Sequence, residues 1–309
     1  MSNALPDSAE FDVGMQHDGE MHTQLKRVNF EPGMLLGVDA TRDEQAYHRR
    51  RLNRHRYWLH GAGTVVGLAV GLSFEEQGFL DEQQPVYLNI SPGVGIDGLG
   101  REVLCHEPYC LDLHAWLLAQ WEDQQSPAIL ADGLDEENQQ LVLRVTMRYA
   151  SCPAGSQPVL ARKVNAGTDP VAASRQQDSV RFELLAGAAA GKPDSPWPWS
   201  GHRPPHPGDT DRQQPSDPET ALIGNLSGAD KAQAELAARL IYAMPHNNSA
   251  LQLIDDGPEA VARTLLAEVR IKLDGDQRPL IQAQHISINN LVRPIVHSAD
   301  QLAWLNAHS

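Results

Sequence analysis

The stretch TRDEQAYHRRRLNRHRYWLHGAGTVVGLAVGLSF, residues 41–74, changes character at two glycines. Thr41, followed three residues later by Glu44, fits a capping box that begins a helix. Gly61 and Gly63 predict the end of that helix, because glycine readily adopts the positive φ that is common at helix C-termini. The apolar runs that follow predict β-strands. The expected order is therefore a helix, a glycine corner and a sheet.

Further short apolar runs separated by turns follow this stretch. Residues 85–105 contain Pro-Gly and Gly-Leu-Gly turns and predict closely connected antiparallel strands. Residues 113–121 predict a short helix, and the alternation in residues 140–150 is typical of a half-buried strand. Residues 180–187 predict another strand. We therefore expect an α+β fold with a central antiparallel β core preceded by an Arg-rich helix, with short peripheral helices and a Pro-rich loop.

Composition divides the chain into four parts. Residues 1–27 lack apolar periodicity and predict a flexible N-terminal arm, whereas residues 28–187 hold the helix and the β core. Residues 188–225 are rich in Pro and Gly, which interrupt helices and strands, and predict an exposed loop or linker. Residues 226–309 are expected to form a C-terminal α/β part that packs on the core.

Three elements are expected in the C-terminal part. Ser227 is a suitable cap for a helix over residues 229–242. Residues 264–281 predict a strand, an Asp-Gly turn and a second strand. Ser298 with Gln301 predicts a capping box at the start of a final helix.

Charge is unevenly distributed along the chain. The net charge of −15 argues against nucleic-acid binding, which depends on Lys and Arg neutralising phosphates. Residues 42–60, however, contain six arginines and two acidic residues, a net charge of +4. Two interpretations remain open: the arginines pair with the chain's own acids, or they dock onto an acidic partner subunit. The arginines proposed for this role are Arg49, Arg50, Arg51, Arg54 and Arg56.

Cysteine content, the N-terminal sequence and the length of apolar stretches limit the class of protein. Three cysteines in a chain of 309 residues predict reduced thiols rather than a disulfide framework. The N-terminus is polar and acidic, which is unlike a secretion signal. The longest apolar stretch, residues 62–72, is shorter than the roughly 20 residues that span a bilayer, and no membrane span is predicted. We expect synthesis in the cytoplasm.

The glycines of HGAGTVVG, residues 60–67, resemble a phosphate-binding loop only superficially. Such a loop needs a strand before the glycines and a helix after them, and here the predicted order is reversed. A structural helix-to-strand corner is the favoured interpretation.

Candidate metal and catalytic residues lack a convincing pattern. Four residues of zinc-binding type lie within ten residues, but their spacing matches no common structural site, so the two cysteines are interpreted as apolar side chains on strands. Two prolines separate a pair of histidines, and one further cysteine has no base nearby. We expect no catalytic residue, metal or cofactor. The residues concerned are Cys105, His106, Cys110 and His114, then His202 and His206, and Cys152.

Several motifs occur in a recognisable order. They are NFEPGMLL, DEQAYHRRRLNRH, LHGAGTVVGLAV, SPGVGIDGLGREV, LRVTMRYASCPAGSQPV, LLAEVRIKL and RPIVHS. This series resembles a group of bacterial proteins encoded with phage-tail-like contractile injection systems. The most specific part covers residues 29–104. Its matching residues are Asn29, Phe30, Gly33, Leu35, Leu36, Glu44, Gln45, Tyr47, His48, Leu59, His60, Gly61, Gly63, Val65, Val66, Gly67, Leu68, Pro92, Gly93, Ile96, Asp97, Gly100, Arg101 and Glu102.

The resemblance implies a structural or adaptor role at the baseplate or cap of an injection particle. The implied partners are sheath, tube, baseplate or cap proteins, and no reaction is implied. Turns and strand corners account for the motif residues, and Arg101 is expected to pair with Asp97 across the Gly-Leu-Gly turn. The residues given this structural role are Gly33, Tyr47, His60, Gly61, Gly63, Gly67, Pro92, Gly93, Asp97, Gly100 and Arg101.

Two other functions remain open from the sequence. A surface recognition module would bind a carbohydrate or a receptor, with Trp197 and Trp199 supplying rings that stack on the ligand. A metal hydrolase is the third hypothesis.

Overall fold

The computed structural model describes residues 24–74, 86–122, 130–158, 171–189, 215–241, 262–275 and 277–308. Within these ranges the chain has an α+β fold built on antiparallel sheets, which confirms the predicted fold class. Most of the predicted N-terminal arm and of the Pro-rich loop lies outside the described residues.

Runs of strands lie between the helices of the described chain. The α-helices found there are α1 (Val38–His60), α2 (Leu113–Glu122), α3 (Asp217–Gly224), α4 (Gly228–Ile241) and α5 (Ala299–His308). The strands are β1 (Gly63–Gly67), β2 (Val70–Phe74), β3 (Val86–Ile90), β4 (Gly93–Ile96), β5 (Glu102–Cys105), β6 (Tyr109–Asp112), β7 (Leu134–Asp135), β8 (Gln140–Pro158), β9 (Val171–Ala186), β10 (Thr264–Lys272) and β11 (Ile286–Asn289).

The strands form three antiparallel sheets. Two small sheets have the orders β1-β4-β5 and β2-β3-β6. The largest sheet has the order β11-β10-β8-β7, and β9 also pairs with β8. Residues 140–147 of β8 pair with β10, whereas its pairing with β9 runs from Leu143 to Pro158. The C-terminal part of the chain therefore supplies β10 to the interior of the largest sheet.

The buried core joins strands of all three sheets to α2. One side of β8 lies in this core, as its alternation predicts. The expectation that β8 is only half buried is wrong, because Val142, Thr146 and Arg148 on the other side are buried too. The Arg148 guanidinium lies 3.2 Å from the Glu183 carboxylate, which compensates its burial. The largest fully buried side chains of this core are Leu68, Val86, Val103, Leu113, Leu117, Leu130, Leu141, Leu143, Met147, Leu266 and Ile271.

The predicted capping box of α1 is wrong. The helix begins at Val38, before Thr41, and the Thr41 hydroxyl donates to the Gly37 carbonyl at 3.3 Å. The Glu44 carboxylate accepts a hydrogen bond from the Val28 amide at 3.2 Å. Glu44 therefore ties the preceding chain to the helix instead of capping its first turn.

Two predictions about the later chain are also corrected. Residues 217–224, assigned to the Pro-rich loop, form α3, whose capping box includes a 2.8 Å hydrogen bond from the Ser216 amide to Glu219. Proline is tolerated there because the first helical turn does not use its amide hydrogen. Among its described residues, the segment after the Asp-Gly turn makes an isolated bridge at Pro279 and no longer strand, and the next strand begins at Ile286.

Three of the predicted helices are confirmed. They are α2, α4 and α5, and α5 has the expected capping box, with the Ser298 amide 2.8 Å from the Gln301 side-chain oxygen. Of the helices described, none has the length and apolar character that a membrane crossing requires.

Candidate interaction surface

The turn between β4 and β5 is built around the Asp97 carboxylate. Its Oδ1 accepts hydrogen bonds from the amides of Leu99 at 3.0 Å and Arg101 at 2.9 Å. Its Oδ2 accepts from Arg101 Nε at 2.7 Å. The two side chains are only 0% and 5% exposed, so the predicted pair is confirmed and is a buried ion pair. We call residues 97–101 the Asp97 corner.

Electrostatic contacts connect the Asp97 corner to β8. Burial raises the pKa of the Asp97 carboxyl, and the charge and hydrogen bonds of Arg101 oppose that rise. The Arg101 guanidinium lies over the Tyr149 ring, 5.0 Å from its centroid. The Tyr149 hydroxyl donates to Asp178 at 2.6 Å, and its pKa is raised by burial first and by this hydrogen bond second.

The C-terminal half of α1 lies directly on the Asp97 corner. Gly100 has φ +75, and a Cβ atom at this position would overlap the Asn53 carbonyl oxygen. Asn53 and Tyr57 are buried, and Arg56 makes a 2.6 Å ion pair with Glu102. Glycine at position 100 therefore allows the helix backbone to contact the turn.

The glycines after α1 are structural. The Gly61 amide donates to the Arg56 carbonyl at 3.1 Å and to the Tyr57 carbonyl at 3.2 Å, and so ends the helix. Gly67 faces Gly93 across the β1-β4 pair, where a Cβ on Gly67 would overlap the Pro92 carbonyl. A structural corner at these glycines is what the order of elements predicted.

The remaining motif residues occupy turns and the surface. Gly63 lies against the Pro294 backbone, and Gly33 lies in a turn closed by the Met34 amide. Tyr47 is half-buried on α1, and His60 is exposed at its end.

Two residues near the C-terminus hold the corner after β1, and no local sequence pattern indicates this role. Asn290 exchanges two hydrogen bonds with the Val70 backbone, at 2.9 and 2.8 Å. Arg293 donates to the Leu68 carbonyl at 2.8 Å, and burial lowers the pKa of its guanidinium. These contacts join residues more than 200 positions apart, with separations of 220 and 225.

The five arginines of α1 face different surroundings. Arg56 pairs with the chain's own Glu102, as the first interpretation expects. Arg51 is exposed and donates to the Tyr47 hydroxyl at 2.9 Å. Arg49 is exposed, and its charge opposes the rise in the pKa of Tyr149. Arg50 and Arg54 are partly buried. The helix therefore carries positive charge both toward the corner and toward solvent.

Before α1 and at its first residue, the chain exposes a run of apolar side chains. Phe30, Met34, Leu36 and Val38 are each about half exposed or more, and Leu35 is 98% exposed. We call residues 30–38 the apolar segment. It borders a shallow cleft of ≈ 200 Å³ against the first turns of α1. Small-molecule sites usually occupy about 300 to 1,000 Å³, so this surface is better suited to a protein side chain.

The candidate metal residues that the structure describes do not come together. Cys105 is buried at the end of β5, and its thiol contacts the Glu107 carbonyl at 3.1 Å. Cys110 lies on a strand, β6, as predicted, but its side chain is exposed rather than packed in the core. In the part of the chain that the structure describes, no three His, Cys, Asp or Glu side chains form a group suited to a metal ion. The paired histidines and Trp residues of the Pro-rich loop lie outside that part.

No protein-family model matches the sequence, and no curated protein matches it either.

Proposed function

We propose that this chain is a non-catalytic structural or adaptor subunit of a phage-tail-like contractile injection system. It binds sheath, tube, baseplate or cap proteins after synthesis in the cytoplasm. The exposed apolar segment beside a basic helix is the observation that carries this proposal. The motifs at residues 29–104, which resemble those of proteins encoded with such systems, indicate the kind of particle.

Burial of the apolar segment provides the energy for binding. A leucine moved from water into an interface contributes roughly 1.5 to 3 kcal/mol. Leu35 has almost its full surface available for this, and its apolar neighbours extend the contact. Contiguous apolar patches of this kind mark interaction sites on soluble proteins more often than single exposed residues do.

Charge selects the partner. The apolar segment leads directly into α1, where the basic stretch begins at Arg42. The side chains of Arg42, Arg49 and Arg51 are exposed. A partner surface with an apolar centre and an acidic rim complements this arrangement, and such charges chiefly raise association rate and specificity. Binding should therefore weaken as salt screens the charges.

The motif residues support a positioning role. The Asp97 corner and the glycines hold the C-terminal half of α1 in place. The helix in turn positions the apolar segment at its other end. Their contacts are ion pairs, turns and close backbone approaches, all of which make this part of the fold rigid.

The test uses the full chain with an affinity tag in the bacterium that produces it. Particles are separated by sedimentation, and the chain is followed together with sheath and tube proteins. We expect cosedimentation, reduced in Leu35→Asp and retained in Leu222→Asp. Leu222 on α3 is 64% exposed and makes a matched control for adding a charge at an exposed leucine.

Two results would contradict the proposal. One is the absence of the expressed chain from both particles and assembly intermediates. The other is equal cosedimentation of Leu35→Asp and the wild type at all salt concentrations, which would mean that the apolar segment takes no part.

A further inference from the structure

The chain before α1 folds back along that helix. The Met34 amide donates to the Glu31 carbonyl at 3.1 Å, and this turn reverses the direction of the chain. Phe30 and Leu36, one on each side of the turn, line the same shallow cleft against the first turns of α1. We call residues 28–37 the strap. It contains most of the apolar segment.

One hydrogen bond closes the strap onto α1. The Val28 amide donates to Glu44 Oε2 at 3.2 Å. Glu44 lies six residues into the helix, about 9 Å along its axis from Val38. Within the described chain, no other hydrogen bond joins residues 28–36 to α1. The strap is therefore part of a loop that is closed between positions 28 and 44.

The Glu44 carboxylate is well placed to hold this loop. Its Oε1 lies 3.0 Å from His48 Nε2, one helical turn further along α1, so its two oxygens have separate partners. The Glu44 side chain is 25% exposed, and water competes only partly for it. A charged acceptor also makes a stronger hydrogen bond than a neutral one, and this bond opposes the entropic cost of closing the loop.

The apolar contacts of the strap add little to this hydrogen bond. Phe30 and Leu36 remain 59% and 49% exposed although they line the cleft, and Leu35 points almost wholly into solvent. A segment with few buried contacts opens at a low free-energy cost. The closed position of the strap therefore depends on the Val28–Glu44 bond.

We propose that Glu44 is a positioning residue whose carboxylate closes the strap, and that the closed strap is the form that binds the partner subunit, a role that rests on the proposed function. A partner that meets the closed strap does not have to order residues 28–37 itself, so binding loses less entropy. Opening of the strap lowers the fraction of competent molecules and raises the apparent dissociation constant in inverse proportion.

Closure is tested on the isolated full chain by amide hydrogen exchange, resolved by NMR. Glu44→Ala removes the acceptor and keeps a residue that favours helix, whereas Glu44→Gln keeps an oxygen that accepts from Val28. We expect the Val28 amide to exchange about tenfold faster in Glu44→Ala and at most about threefold faster in Glu44→Gln. Asp43→Ala, at an exposed acidic residue one position earlier, is the matched control and should exchange like the wild type. Urea denaturation should give the same stability for all four proteins.

The binding role is tested by cosedimentation of the same variants with tail-like particles. We expect about threefold less cosedimentation or lower for Glu44→Ala, and nearly wild-type amounts for Glu44→Gln and Asp43→Ala. Recovery in Glu44→Gln shows that the acceptor oxygen, rather than the negative charge alone, is what the apolar segment requires.

Each failure has its own signature. Equal Val28 exchange in Glu44→Ala and the wild type would overturn closure by Glu44, and so would a large loss of overall stability in Glu44→Ala. Faster Val28 exchange with unchanged cosedimentation would overturn the positioning role. Absence of the wild-type chain from particles, together with Val28 exchange that responds to Glu44, would support closure and contradict the proposed function instead.

Discussion

The two ends of helix α1 differ in what they contact. Its C-terminal half meets the Asp97 corner through buried Asn53 and Tyr57, with the backbones in direct contact at Gly100. Its N-terminal turns follow the apolar segment, whose most exposed side chain is Leu35. One helix therefore joins a packed end to an exposed surface. We call the packed end, which consists of the C-terminal half of α1 and the Asp97 corner, the base.

This difference predicts whether a substitution in α1 or its neighbours affects stability or binding. Substitutions at the base remove packed or ion-paired groups, so they lower the free energy of unfolding. We expect substitutions at the exposed end to leave the fold almost unchanged and to act on the proposed binding. The predictions below test this division, beginning with the largest expected effect on stability.

Removal of the Asp97 carboxylate should have the largest effect. In Asp97→Ala, Arg101 keeps a buried charge without its carboxylate, and the Leu99 amide loses its acceptor. We expect a loss of about 3 to 5 kcal/mol in the free energy of unfolding, measured by urea denaturation. The double variant Asp97→Ala/Arg101→Met should be more stable than the sum of its single variants predicts. Strict additivity would show that the two side chains are not coupled.

A methyl group on Gly100 should have the next largest effect. Gly100→Ala forces the turn away from the Asn53 carbonyl at a positive φ, and we expect a loss of about 2 to 3 kcal/mol in thermal or urea denaturation. Gly33→Ala is the matched control, because Gly33 also has a positive φ, +90, but has nothing within 4 Å of an added Cβ. Equal losses in the two variants would contradict the close contact at the base.

Alkaline pH should lower the free energy of unfolding through the ionisation of Tyr149. The pKa of Tyr149 is raised above its ordinary value of 10.0, so above this pH the unfolded chain loses the phenol proton before the folded protein does. The stabilising contribution is present below pH 10 and is lost as the pH rises. Between pH 8 and pH 11 the wild type should lose up to about 1 kcal/mol more than Tyr149→Phe, because solvent partly screens this half-buried group. Identical pH profiles would remove Tyr149 from this role.

The sequence predicted those parts of the structure that depend on local chemistry. The Gly61 helix end, the Asp97–Arg101 pair and the buried row of β8 each follow from turn residues or alternation within a few positions. The capping box at Thr41 also fits a local rule, but the chain uses Glu44 for a contact with Val28. Local rules describe what a residue favours, and tertiary contacts decide among the options.

Contacts between segments that lie far apart in the chain could not be predicted from a single sequence. Arg293 and Asn290 hold the backbone at Leu68 and Val70 across more than two thirds of the chain, and no spacing rule connects them. The full length of the β8-β9 hairpin was missed for a different reason. Small and polar residues such as Ala154 and Ser156 show no apolar alternation, although their strand pairing continues.

Leu35→Asp should have the smallest effect on stability and a large one on association. The side chain is 98% exposed, so its replacement removes no packing, and we expect the free energy of unfolding to change by less than about 0.5 kcal/mol. Cosedimentation with particles should fall because the carboxylate introduces a charge into the apolar contact. Leu113→Asp, at a fully buried leucine, should instead prevent stable folding. A large loss of stability in Leu35→Asp would mean that the apolar segment belongs to the fold, and the division between the two ends of α1 would then be wrong.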